Sequence, residues 1–213
     1  MCEFANVWTL FFFYRCINES GYPDCFKIAQ ITPVYKSADQ TNCNNYRAIS
    51  ILLQFNKILE KILRTRVYAY LQEFNLLSNN QYGFRPKPAT SFAVENIYSN
   101  LLINKENGLY TCSIFLDLSK AFDTVNHDIL LQKLQFDFGI RGVPLQLSSN
   151  NLLNRKQYVV KRNTKSSLKN IPCGVPQGAV LGSLFYYVHK WLDKLFNIHH
   201  CALCWWYVSI FTW

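Results

Sequence analysis

The stretch Tyr110-Thr111-Cys112-Ser113-Ile114-Phe115-Leu116-Asp117-Leu118-Ser119-Lys120-Ala121-Phe122-Asp123 decides how the rest of this chain is read. Its first half, Tyr110 to Leu116, is short, β-branched and aromatic, with Gly108 before it and Asp117 after it. Such side chains fit a pleated, covered surface, so the segment is expected to be a buried strand. Asp117 then falls at the strand's carboxyl end, and Asp123 follows beyond a turn. A carboxylate in that position is costly unless it meets a cation. Magnesium is one such partner, because hard oxygen ligands at a strand end can hold it while substrate phosphates and water fill its other positions. The heptapeptide Asp117 to Asp123 fits a turn or helix-capping aspartate equally well.

On the N-terminal side, Phe55, Ile58, Leu59, Ile62, Leu63, Val67 and Leu71 recur at helical spacing between Leu52 and Glu73, with Glu60 and Arg64 expected as an ion pair on the wet face. A turn-rich stretch from Ser78 to Lys87 precedes a second helix, capped by Thr90 or Ser91 and ended by Asn104 to Gly108. On the C-terminal side a third helix is expected from about Asp128 to Phe136, with His127 as its cap. Gln157 to Lys161 and Ser166 to Cys173 read as a hairpin around Arg162-Asn163-Thr164, which puts basic residues near the turn. Gly174-Val175-Pro176-Gln177-Gly178 is a rigid turn. Its glycines either let another chain approach the backbone or serve a plain strand-to-helix connection. A helix to about Phe196 and a strand from Cys201 complete the pattern. Helices and hairpins without regular strand-helix alternation indicate an α+β fold.

The chain of 213 residues is one domain or a piece of a larger one, and with half its residues apolar and 16% charged it lies outside the disordered class. The net charge of +9 points to a polyanionic partner. Nearly all of that excess sits between Phe138 and Leu192, where no acid occurs but Arg141, Arg155, Lys156, Lys161, Arg162, Lys165, Lys169 and Lys190 do. The eight cysteines are scattered, which fits a reducing, intracellular protein, nuclear or cytoplasmic. Val7 to Tyr14 lacks the basic approach and small-residue cleavage site of a secretion signal. No stretch reaches the roughly 18 uninterrupted apolar residues of a membrane span. His199-His200-Cys201-Ala202-Leu203-Cys204 has zinc-knuckle spacing, but it offers one pair where structural zinc uses two.

Thr32-Pro33-Val34-Tyr35-Lys36, Asn45-Tyr46-Arg47-Ala48-Ile49-Ser50, Gln81-Tyr82-Gly83-Phe84-Arg85, Asp117 to Asp123 and Gly174 to Gly178 follow one another in an order that resembles the reverse transcriptase domain of non-LTR (LINE-type) retrotransposons, with Jockey-like elements nearest. The likeness runs from about Leu10 to about Leu184. It implies a right-hand polymerase, with fingers over about 10–107, a partial palm over about 108–213 and no thumb. It also implies an RNA template, a DNA primer, deoxynucleotides and two Mg2+ ions clamping the attacking and leaving oxygens. By the same resemblance Asp117 is the first metal-binding carboxylate and the Leu118 carbonyl a main-chain ligand. Lys36 and Arg47 neutralise the triphosphate, Phe122 is the gate against a ribose 2′-hydroxyl, and Gln177 with Gly178 lies under nucleotide and template. Arg155, Lys156, Lys161, Arg162 and Lys165 would contact nucleic acid.

The likeness also implies an aromatic-Ala-Asp-Asp hairpin some 80 to 90 residues after the first aspartate. That register holds Cys204-Trp205-Trp206-Tyr207, and no Asp or Glu follows Asp193. Trp206 and Tyr207 stand where the paired carboxylates belong, so the expectation is a chain that does not polymerise. Ala48 replaces the family's proline and Ala179 its serine. Three of the five tryptophans fall in the last nine residues, which suggests a shifted reading frame or a decayed copy, and the whole reads as a fragment. The rival expectations are a non-catalytic nucleic-acid-binding remnant and a pseudogene product without function.

Overall fold

The computed structural model describes residues 2–77, 82–83, 90–117, 120–162, 164–189, 199–202 and 206–212. They form two units interleaved in sequence: Met1–Tyr70 with Phe122–His189, and Leu71–Ala121 with Lys190–Trp213.

The first unit is built on a sheet. Strands β1 (Ile28–Tyr35) and β2 (Tyr46–Ile51) form an antiparallel hairpin running from Gln30 opposite Ile51 to Tyr35 opposite Tyr46. Asp39 ties its connection, accepting from the Thr41 backbone at 2.9 Å and from its hydroxyl at 2.6 Å. β1 also pairs in parallel with β4 (Lys156–Lys161), from Ile28 opposite Lys156 to Ile31 opposite Val159. β5 (Thr164–Lys165) and β6 (Lys169–Asn170) both pair antiparallel with β4, giving the order β2-β1-β4-β5 with β6 off that path. The strand period of two turns Ala29 and Ile31 inward, where they meet Leu52 and Ala179. The expected hairpin is therefore present, but its return strand is split in two. Asn163, at the expected turn, lies outside the described residues.

Helices fill out the unit. α1 (Cys2–Asn18) buries Phe13 and Cys16 and leaves Trp8, Leu10 and Tyr14 exposed. α4 (His127–Gln132), α5 (Val143–Leu152) and α6 (Gly182–His189) bury Leu130, Leu147, Leu152, Leu184, Phe185 and Val188. Each contributes roughly 1.5–3 kcal/mol by leaving water. Asn126, not His127, caps α4, accepting the Ile129 N–H at 3.1 Å. His127 is the first helical residue, and its Nε2 lies 2.7 Å from the Gly174 carbonyl. The expected extension to Phe136 is present but widened into a π turn over Lys133–Asp137. The expected run of α6 to Phe196 falls on residues outside the described ones.

α2 (Gln54–Glu73) matches its expected bounds within two residues, yet its buried stripe is rotated. Asn56, Leu59, Glu60 and Leu63 face inward, whereas Phe55 and Ile58 are about half exposed. Glu60 is 0% exposed, so the carboxylate expected on the wet face is an interior one.

The second unit carries α3 (Thr90–Glu106) and the antiparallel sheet β3-β8-β7, with β3 at Thr111–Asp117, β7 at His199–Ala202 and β8 at Trp206–Thr212. β3 is the strand expected from the opening heptad of residues, displaced by one. Gln81, Phe84 and Arg85 of the expected third motif lie outside the described residues. Among the described residues, no helix is long and apolar enough to cross a membrane.

Candidate nucleotide and nucleic-acid site

The first unit brings together most of the residues expected to touch a nucleotide. β2 is an edge strand at Ser50, and its free N–H takes the Gln177 carbonyl at 2.8 Å. The turn from Gly174 to Gly178 is thereby fastened to the strand that carries Arg47. Gly178 has φ +114, and a Cβ there would meet the Ser50 carbonyl at 2.9 Å. Gly174, at φ +88, would meet the Asp123 backbone at 2.9 Å. The close approach these glycines permit is made by the chain's own backbone, so of the two readings of this turn the plain structural one accounts for both.

The turn's other side is fastened to the segment bearing Phe122. Gly174 N–H donates to Val125 at 2.7 Å and Val175 N–H to the Phe122 carbonyl at 2.9 Å. The Phe122 ring is half-buried and lies against Tyr186 of α6, with centroids 5.4 Å apart. Lys36 and Arg47 are exposed at the β1–β2 hairpin, where Lys36 N–H donates to Asn45 at 2.9 Å and Arg47 sits opposite Val34. Phe122, Gln177, Gly178, Arg47 and Lys36 thus belong to one hydrogen-bonded arrangement.

The basic hairpin lies on the same sheet. Lys156, Lys161, Arg162 and Lys165 are exposed. Lys161 Nζ stands 5.1 Å from the Tyr46 ring centroid and Lys165 Nζ 4.1 Å from that of Tyr158, so aromatic faces of the sheet hold two of the cations. Arg155 departs from the expectation. It is 0% exposed, with Nη1 donating to the Asn151 carbonyl at 2.9 Å and to Asn151 Oδ1 at 3.1 Å. A guanidinium enclosed in this way is structural and does not reach a phosphate backbone.

Arg155 belongs to a buried network that sequence patterning did not reveal. The Tyr22 hydroxyl donates to Asn56 Oδ1. Asn56 Nδ2 donates to Glu60 Oε1 at 3.1 Å, and Glu60 Oε2 accepts the N–H groups of Val180 at 2.6 Å and Leu181 at 3.3 Å. Burial, and then the Glu60 charge, push the Tyr22 hydroxyl well above its ordinary range. Burial pulls the Arg155 guanidinium down, against the opposing pull of Tyr22 and Glu60. The only signal in the sequence is the four-residue spacing of Asn56 and Glu60 in line with Leu52, Leu59 and Leu63.

Asp117 lies in the second unit, as the last residue of β3. Pairing with β8 sets Asp117 opposite Trp206 and Leu116 opposite Tyr207. The two positions where the resemblance expects aspartates therefore pair with the strand that ends in Asp117, and they carry an indole and a phenol. A pair of magnesium ions about 3.5–4 Å apart needs carboxylate oxygens from both strands. The residues present do not fit that pair. Leu118 lies outside the described residues, as does Cys204 of the spacing considered for zinc. Among the described residues, no group of three or more His, Cys, Asp or Glu is placed to hold a metal ion.

Comparison with known proteins gives the family. The family model for reverse transcriptase (RNA-dependent DNA polymerase) matches residues 35–203. A probable RNA-directed DNA polymerase from transposon BS of Drosophila melanogaster is 30% identical over 183 residues, covering 85% of this chain and 20% of that protein. The RNA-directed DNA polymerase from mobile element jockey of the same fly is 32% identical over 180 residues, covering 82% and 19%. Telomerase from Candida tropicalis in complex with a TWJ fragment of telomeric RNA superposes with a TM-score of 0.60 at 13% identity, over 89% of this chain and 36% of that one. The chain belongs to the reverse transcriptase family, as a domain of the non-LTR retrotransposon type. It spans about a fifth of the length of the curated relatives it matches.

Proposed function

We propose that this chain is the fingers and partial palm of a non-LTR reverse transcriptase that retains nucleic-acid and nucleotide contacts and does not polymerise. Fingers cover about 10–107 and palm about 108–213 in this reading. The observation that carries it is the register of Asp117 opposite Trp206. Asp117 remains as one carboxylate where paired ones are required, so no two-ion step is available to this chain.

Primer and RNA template lie along the exposed Lys156, Lys161, Arg162 and Lys165, and Lys36 with Arg47 meets the deoxynucleotide triphosphate. The exposed hairpin and the stacked lysines support this assignment. The setting is intracellular, in keeping with free thiols at Cys16, Cys25, Cys43, Cys112 and Cys173.

Titration with Mn2+ in the presence of a deoxynucleotide, followed by electron paramagnetic resonance of the free ion, tests the proposal. At most one weakly held ion per chain is expected beyond those the nucleotide itself takes up. Two tightly bound ions, both lost in Asp117→Ala, would overturn it.

A further inference from the structure

We propose that Glu60 is a positioning residue for the Gln177–Gly178 turn. The proposal rests on Gln177 lying under the nucleotide, the role the family resemblance implies for it apart from the structural role of the two glycines, and goes beyond it by naming what holds the turn in place.

The start of the turn is fastened by Gly174 on Val125, Val175 on Phe122 and the His127 ring on the Gly174 carbonyl, and Gln177 is fastened backbone to backbone on Ser50. Beyond Gln177 the hold is the Glu60 side chain. Val180 and Leu181 follow the turn after Ala179 and lead into α6, so their N–H groups have no partner within a helix. Both point at one carboxylate oxygen, at 2.6 and 3.3 Å. A carboxylate at a helix start also lies in the favourable end of the peptide dipoles. Its other oxygen is held by Asn56, which is itself held by Tyr22, so the acceptor is aimed by a chain of buried groups.

Burying a carboxylate is costly unless its oxygens are hydrogen-bonded, and here both are. What the charge does here is fix two successive amides three and four residues beyond Gln177. Ala179, between them and Gly178, packs on the Ala29, Ile31 and Leu52 core, which limits how far the turn can shift as long as the amides stay bound. Loosening the amides therefore frees Gln177 to leave Ser50, while the basic hairpin at Lys161 and Lys165 stays as it was.

The test compares the full chain with Glu60→Leu, Glu60→Gln and Gln177→Ala. Amide exchange is read at Val180 and Leu181, and affinity is read separately for dTTP and for a DNA-primed RNA oligonucleotide. Glu60→Leu removes both oxygens and is expected to raise exchange at Val180 and Leu181 roughly tenfold or more over that of the other helices. It should weaken dTTP several-fold and leave the oligonucleotide affinity unchanged. Glu60→Gln keeps one acceptor, so it should lie between wild type and Glu60→Leu, a rescue that generic destabilisation does not give. If Glu60→Leu does not fold, Glu60→Gln alone decides by the same localised exchange and the same split in affinities. A uniform rise in exchange, or equal losses for both ligands, overturns the proposal, and so does unchanged exchange at the two amides. If Gln177→Ala leaves dTTP affinity intact, the nucleotide reading of the turn fails by itself, and localised exchange in the Glu60 variants still supports the anchoring role.

Discussion

Arg155 and Glu60 are both fully buried in the first unit, and each limits what can be done to the other. Arg155→Met leaves the Glu60 carboxylate buried without the opposing charge, so thermal unfolding should show a loss of roughly 3 kcal/mol. Adding Glu60→Gln to that variant should recover part of the loss, and equal or larger loss in the double variant would contradict the coupling. Tyr22 gives a pH signature with a definite sign. Its hydroxyl is held above the unfolded value near pH 10, so the stability it supplies is complete below that pH and falls as pH rises beyond it. Alkaline melts should therefore show a steeper loss for wild type than for Tyr22→Phe. These residues were the least legible in the sequence. Glu60 and Arg64 have the spacing of a surface ion pair, and Arg155 sits in a run of exposed cations. What buried Glu60 and Arg155 was tertiary: the inward stripe of α2 is rotated by about one position, and Asn151 of α5 meets the guanidinium.

Lys161 and Lys165 sit on the β4–β5 hairpin, over the rings of Tyr46 on β2 and Tyr158 on β4. Replacing either by Ala should reduce the dependence of log affinity on log salt by about one for a single-stranded or primed oligonucleotide, in filter binding across a salt series. Arg155→Met should leave that slope unchanged, and a fall in slope for Arg155 with none for the lysines would contradict the placement. Among the elements, β3, α2 and α3 were legible because each is a sustained pattern of one period. β1 was not, because Thr32-Pro33 interrupts it. The structure tolerates Pro33 because the parallel partner β4 pairs only from Ile28 to Ile31, so the missing N–H falls beyond that ladder. α5 was hidden by Ser148, Ser149, Asn150 and Asn151, which favour turns locally. Packing overrides that preference, since Leu147, Ser148, Asn151 and Leu152 are all buried.

At the scale of the whole molecule, the chain belongs to the reverse transcriptase family and carries Trp206 and Tyr207 where the resemblance expects the paired aspartates. The order of five motifs made the family legible in the sequence, and the match over residues 35–203 bears it out. The candidate site was legible in the sequence as residues on motifs, with Asp117, Gln177 and Arg47 expected there from the resemblance. It was illegible where buried polar contacts support those motifs. The interleaving of the two units reflects the same logic, because β1 pairs with β4 across an intervening unit that carries Asp117. The fold persists without the paired aspartates because β3 and β8 are joined by backbone hydrogen bonds, which ask nothing of the side chains at positions 206 and 207. Extension of a DNA primer on an RNA template, with all four deoxynucleotides and Mg2+, tests the central claim most directly. The expected result is no incorporated nucleotide under conditions where the oligonucleotide is bound. Template-dependent extension that disappears in Asp117→Ala would contradict it.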